Sequence, residues 1–168
     1  MPLEKIRVSR IFSASPGRIY EAWLSSVEHS KFTGAQAEIE PRVGGRHTAW
    51  DGYIEGEILE LVSGSRIVKT WHAQDFPEGA APSHVEVQLL PADGGTEVVV
   101  LHTKLPAGHG QRFVSGWEDF YFKPMSEYFN KPAAKKAPAK KPAAKKAPAK
   151  KAAATKKPAA KKAPAKRR

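Results

Sequence analysis

The chain of 168 residues carries 28 Lys and Arg against 17 Asp and Glu, a formal net charge of +11, and no cysteine, which excludes disulfides and thiol-ligated metals. The charge is unevenly placed: Lys131 to Arg168 hold 14 Lys, 2 Arg and no acid, so residues 1–130 keep 12 basic against 17 acidic side chains and are net −5. The first residues lack an apolar export core and no window approaches the roughly 18 uncharged apolar residues of a membrane span, so a cytoplasmic protein is expected, nucleoid-associated if bacterial.

A body of this size closes one hydrophobic core, burying about two-thirds of its unfolded surface. Between Lys5 and Phe12, Ile6, Val8 and Arg10 alternate with Arg7, Ser9 and Ile11, which predicts a strand. Ser15-Pro16 then opens a helix as N-cap and first turn, with Ile19, Tyr20, Trp23 and Leu24 along one face. Ser25 and Glu28 have capping-box spacing for a second short helix, stopped at Thr33-Gly34.

From Ala35 to Leu105 turn signals recur at Gly44-Gly45, Asp51-Gly52, Ser63-Gly64, Pro77-Glu78-Gly79 and Asp93-Gly94-Gly95. The segments between them alternate: Ile67, Lys69 and Trp71 against Val68, Thr70 and His72; Val85, Val87 and Leu89 against His84, Glu86 and Gln88; Val98, Val100 and His102 against Val99 and Leu101. About six strands in an antiparallel meander follow. Ile58 and Leu59 break the alternation, which predicts a bulge near Gly56. Gly110 to Phe129 returns to helical spacing with Phe113, Trp117, Phe120, Tyr121, Pro124 and Tyr128 on one face, and Pro124 is expected to kink the helix or end its regular part. Helices on one face of a curved antiparallel sheet make an α+β architecture, assigned to residues 1–130.

Residues 131–168 form the second unit. The decapeptide Lys-Pro-Ala-Ala-Lys-Lys-Ala-Pro-Ala-Lys occurs at 131–140, 141–150 and 157–166. Its prolines interrupt any helix, nothing larger than Ala is available to bury, and like charges repel, so an intrinsically disordered, low-complexity tail is expected. As a flexible chain its r.m.s. span is about 35 Å. Lys135, Lys136, Lys140, Lys141, Lys145, Lys146, Lys150, Lys151, Lys156, Lys157, Lys161, Lys162, Lys166, Arg167 and Arg168 are the candidate polyanion-binding residues. Each lysine that neutralises a phosphate releases a counterion, giving salt-dependent, non-specific binding with a Kd of about 10⁻⁴ to 10⁻⁶ M. DNA is the favoured partner; RNA, polyphosphate and anionic membrane surface share the chemistry, and a purely solubilising extension is the bland alternative. The repeat resembles the Lys/Ala/Pro-rich tails of linker histones and histone-like nucleoid proteins.

The body carries a second, more specific resemblance. Ala14-Ser-Pro-Gly-Arg-Ile-Tyr-Glu-Ala-Trp23, Phe32-Thr33-Gly34, Gly44-Gly45, Trp50-Asp-Gly-Tyr-Ile-Glu-Gly-Glu57 and Ile67-Val-Lys-Thr-Trp71 match, in order, the START-like (SRPBCC) superfamily, and within it the activator of heat-shock protein 90 ATPase homologue-like domain. Phe76-Pro-Glu-Gly79, Gly95-Thr-Glu97 and Gly116-Trp-Glu-Asp-Phe-Tyr-Phe122 continue the match to the end of the body. The resemblance implies a helix-grip fold, in which a long C-terminal helix lies across a curved sheet and can leave a cavity. It also implies a chaperone as a possible protein partner, because in eukaryotic co-chaperones this module contacts the chaperone's ATPase domains. Wider superfamily members bind lipids and other apolar ligands, and a few are cyclases.

Trp23, Trp50, Tyr53, Trp71, His102, Phe113, Trp117 and Tyr121 are the candidate pocket residues; they either line a cavity for an apolar small molecule or fill the core, with Tyr53, His102 and Tyr121 as its hydrogen-bonding groups. The six histidines show no metal-ligand spacing, and no nucleophile elbow, P-loop or dinucleotide fingerprint occurs, so no metal or cofactor is expected. His84-Val-Glu86 and His72 with Asp75 are the nearest approach to acid–base pairs. The leading expectation is a non-enzymatic, chaperone-activator-type domain that binds a protein or apolar ligand and is tethered by its tail. The alternatives are a cyclase- or hydrolase-like cavity enzyme and a co-chaperone with a passive tail.

Overall fold

In strand β1 (Leu3–Phe12), Val8 and Phe12 turn into the core while Lys5, Arg7 and Ile11 face out, so the alternation read from the sequence sets the strand's orientation. The computed structural model describes residues 2–130, and the expectations for the tail lie outside the described residues. After β1 come α1 (Pro16–Leu24) and α2 (Ser26–Thr33), then β2 (Glu38–Ile39), β3 (Arg46–Ala49), β4 (Ile54–Val62), β5 (Arg66–Ala73), β6 (Ser83–Ala92) and β7 (Gly95–Pro106). The strands form one antiparallel sheet in the order β1-β7-β6-β5-β4-β3-β2, so β1 crosses over to pair with the last strand.

Side-chain oxygens cap both short helices. Ser15 Oγ accepts the Arg18 N–H at 3.2 Å and Ser25 Oγ accepts the Glu28 N–H at 3.2 Å. The reciprocal half of the capping box is not used: the Glu28 carboxylate accepts two hydrogen bonds from Arg18, at 2.5 and 3.0 Å, and one from Tyr128 at 2.6 Å. Burial works against this charge, but those donors outweigh it and hold the Glu28 carboxyl below the usual range. One carboxylate thus ties α1 and α2 to the C-terminal helix.

Ile67, Lys69, Trp71 and Ala73 of β5, Val85, Val87 and Leu89 of β6, and Val98, Val100 and His102 of β7 form the buried face of the sheet. The bulge falls between Ile58 and Glu60, not near Gly56. Gly56 has another role: a Cβ there would lie 2.1 Å from the Thr70 carbonyl oxygen, so glycine permits the close approach of β4 to β5.

The C-terminal helix begins as α3 (Gly110–Trp117), widens into one π turn over Glu118–Phe122, and resumes as α4 (Lys123–Phe129). In the π turn the Lys123 N–H bonds to the Glu118 carbonyl. Pro124 offers no N–H and would crowd the carbonyl of Phe120, and widening the preceding turn relieves that conflict. The extra residue shifts the inward face by one position. Phe113, Trp117 and Tyr121 point inward as the spacing predicts, but Phe122, Met125 and Phe129 then fill the core while Phe120 is 59% exposed. Sheet, helices and connectivity make the α+β, helix-grip architecture expected of a START-like domain.

Candidate functional site

Between the sheet and the α3–π segment lies a cavity of about 780 Å³. β5 contributes Trp71, the β3–β4 connection contributes Trp50 and Tyr53, and the C-terminal helix contributes Phe113, Trp117 and Tyr121. Ring contacts make the wall continuous: Trp117 lies 4.6 Å from Tyr121 and 5.1 Å from Trp71, and Trp50 meets Tyr121 edge-on at 5.9 Å. Phe120, turned out by the π turn, packs edge-on against Trp50 at 5.6 Å and lines the cavity from its exposed side. A lining of this kind suits a small apolar ligand.

Three polar groups of the lining are joined to one another, while Asp119 pairs with Lys123. Tyr53 donates to Asp75 Oδ1 at 2.6 Å, Arg112 donates to the Tyr53 hydroxyl at 2.5 Å, and Arg112 also pairs with Asp75. Desolvation alone would raise the Asp75 pKa; the hydrogen bonds from Tyr53 and Arg112 more than offset it and hold the carboxyl below its ordinary value. These three residues link α3 to the sheet beside the cavity, and sequence reasoning missed two of them as lining groups, Asp75 and Arg112. Asp75 was visible only as a possible partner for His72, and a residue beside the inward-facing Phe113 gives no sign that it reaches a tyrosine across the cavity.

Trp23 and His102, expected in the pocket, lie outside its lining. Trp23 stacks behind Tyr121 at 5.7 Å and is fully enclosed. His102 is spent in a relay: Trp117 Nε1–H donates to His102 Nδ1 at 3.2 Å, His102 Nε2–H donates to Ser83 Oγ at 2.8 Å, and Ser83 donates to the Trp71 carbonyl at 2.9 Å. Because Nδ1 accepts, His102 is the neutral Nε2–H tautomer. Burial, with the nearby charge of Lys69, pushes its pKa down to about 3.

Two further histidines are buried without having been singled out. His29 Nδ1–H donates to the Trp23 carbonyl at 2.9 Å and its Nε2 accepts from Tyr121 OH at 3.3 Å. His47 Nε2–H donates to the Thr70 carbonyl at 2.9 Å. Burial first, then Lys69, depresses them to about 3 and about 2. Burial also raises the Tyr121 hydroxyl above its ordinary range. The neutral imidazoles hold structural hydrogen bonds to carbonyls, a serine, a tyrosine and a tryptophan, with no carboxylate to orient them for proton transfer. Neither of the two short His-to-acid spacings in the sequence forms a pair: Asp75 is engaged by Tyr53 and Arg112 instead of His72, and Glu86 pairs with Arg66 at 3.2 Å instead of His84. Among the described residues, no three His, Asp or Glu side chains gather where they would hold a metal ion, and no helix is long and apolar enough to cross a membrane.

The match to known proteins covers most of this body. A family model described as activator of Hsp90 ATPase homolog 1-like protein matches residues 13–130. The chain belongs to that family. The human activator of 90 kDa heat shock protein ATPase homolog 1 is 29% identical over 129 residues, 77% of this chain and 38% of the human protein. The activator-family chain therefore spans about two-fifths of the length of the mammalian relatives it matches. In solved structures, an HSP90 activator from Plasmodium falciparum superposes with a TM-score of 0.68 at 22% identity, over 76% of this chain and 97% of that one. Protein CV1439 from Chromobacterium violaceum gives a TM-score of 0.62 at 26% identity, over 76% and 97%. The activator-family match ends at residue 130, where the Lys-rich repeat begins.

Proposed function

We propose that the activator-like domain is a non-enzymatic binding module whose cavity takes a small apolar ligand, and that its Lys-rich tail tethers it non-specifically to DNA or another polyanion. The observation that carries the first part is the aromatic-walled cavity of about 780 Å³ between sheet and helix, whose neighbouring histidines are buried, neutral and committed to structural hydrogen bonds. The relatives' names support the absence of catalysis, since they describe activators of another protein's ATPase. Titration with 1-decanol, followed by tryptophan emission, tests it: three of the four tryptophans line the cavity, so a saturable change is expected, and a flat response contradicts the reading.

Composition supports the tether, with 16 cationic side chains and no acid after Asn130, against a body that is net −5. Loss of DNA binding in moderate salt on truncation after Asn130 is expected; survival of that affinity overturns it. A second reading, favoured by the 29% identity to a heat-shock ATPase activator, is that the body also contacts a chaperone of that class. The ATPase rate of a 90 kDa heat-shock chaperone, measured with and without residues 1–130, decides it: stimulation supports the contact and an unchanged rate removes it.

A further inference from the structure

Behind the cavity wall sits a buried lysine. Lys69 shares the buried face of β5 with Ile67 and Trp71 and is only 3% exposed. Its ammonium lies 5.3 Å from the Trp71 ring centroid and 5.9 Å from that of Trp23. The titratable groups that sense it are His29, His47 and His102, all held neutral, and Tyr121 gives its hydroxyl hydrogen to His29. No carboxylate belongs to this cluster: among the described residues the amine is perturbed by burial alone, which brings its pKa down to about 7.

The two indoles beside it carry buried Nε1 donors that have no acceptor among the described residues. The ammonium faces two aromatic rings while two indole donors lack an acceptor, and at these distances cation–π attraction recovers part of the lost hydration and no more. Buried donors in native proteins are matched by an acceptor, from protein, water or ligand. Trp71 belongs to both environments, lining the cavity and lying against the Lys69 ammonium. Lys69 itself does not line the cavity, so an anion there reaches its ammonium only where the Lys69 or Trp71 side chain gives way.

We infer that Lys69 is the anchoring cation for the carboxylate of an amphipathic acid whose apolar chain lies in the aromatic cavity. The inference rests on the cavity reading above. A carboxylate brings one negative charge to one lysine and two acceptor oxygens to donors that have none. A phosphate would bring up to two charges to a site without a guanidinium fork, since Arg112 is engaged with Asp75 and Tyr53. An unlinked water would satisfy a donor without discriminating among ligands, and that is one outcome of the test.

The test compares sodium decanoate with 1-decanol on the full chain and on its Lys69→Met variant, by isothermal titration at pH 6.5. Methionine keeps the apolar stem and removes the charge, and the tail is the same in both proteins, so its own attraction for the acid cancels. Decanoate affinity is expected to fall at least tenfold in Lys69→Met while decanol affinity changes less than twofold. Equal changes for both ligands, or none, overturn the inference while leaving the cavity reading intact. Absence of binding by either ligand to the unsubstituted chain defeats both. Should Lys69→Met fail to fold, ¹³Cε NMR of Lys69 in the unsubstituted chain serves: saturating decanoate is expected to raise its titration midpoint by one pH unit or more and decanol to leave it in place, and a midpoint unmoved by decanoate overturns the inference.

Discussion

The indole N–H of Trp117 donates to Nδ1 of His102 at 3.2 Å, joining the C-terminal helix to β7 beneath the cavity. Because that nitrogen accepts, the imidazole must donate from its other nitrogen to Ser83, and the whole relay has one direction. Trp117→Phe keeps an aromatic wall but leaves a buried acceptor unpaired. A loss of about 1–3 kcal/mol is expected from that group, read as a lowered urea midpoint. An unchanged midpoint would mean the relay contributes nothing to stability.

Acid should unfold the domain early. His29, His47 and His102 have folded pKa values of about 3, 2 and 3, all below the ordinary 6.5. Between those limits the unfolded chain binds protons that the folded one refuses, so the stability tied to the neutral rings is complete above about pH 6.5 and is lost as pH falls toward 3. Near pH 5 each ring contributes a slope of about 1.4 kcal/mol per pH unit. Urea unfolding at pH 7.5, 6 and 5 should show a steep decline, and a flat profile would contradict buried neutral imidazoles.

Lys69 produces a slope in the alkaline range. Its folded pKa of about 7 lies below the ordinary 10.5, so between those values the unfolded state holds the extra proton and stability rises with pH, by about 1.4 kcal/mol per unit from this group. Lys69→Met should be the more stable protein at pH 7, and its advantage should shrink as pH approaches 10. A parallel pair of stability curves would show that the amine is not desolvated.

Two glycines should respond oppositely to alanine. At Gly56 the new Cβ would meet the Thr70 carbonyl oxygen at 2.1 Å, where only backbone movement can make room, so a loss of about 3 kcal/mol or failure to fold is expected. At Gly116, in the interior of α3, a Cβ has nothing within 4 Å, and the gain in helix propensity should stabilise by about 0.5–1 kcal/mol. Thermal melts of the two variants check both.

Much of this body is legible in one-dimensional pattern. Ser15-Pro16 and Ser25 announce their helices because capping is local, and the β5, β6 and β7 faces follow from period-two alternation. The family resemblance supplied the helix-grip arrangement that such patterns cannot. The π turn escaped because Pro124 announces a disruption without saying that one residue will be added before it, and that residue decides that Phe122, not Phe120, is buried.

The site was harder to read. Six of the eight aromatic and histidine residues singled out line the cavity, while Trp23 and His102 lie behind its wall, because ring depth depends on packing between elements distant in sequence. Lys69 was visible on the same face as Ile67 and Trp71, but a charged residue on an apolar face reads as a boundary until its burial is seen.

The most direct test of the account blocks the cavity from within. Gly116 lines it and has open space where a side chain would begin, so Gly116→Phe should fill part of its volume. Isothermal titration of 1-decanol into the unsubstituted chain is expected to give one saturable site, and Gly116→Phe should weaken it at least tenfold while the protein stays folded by circular dichroism. Equal decanol affinity in the two proteins, or no saturable site in either, would contradict a ligand-binding cavity at this position.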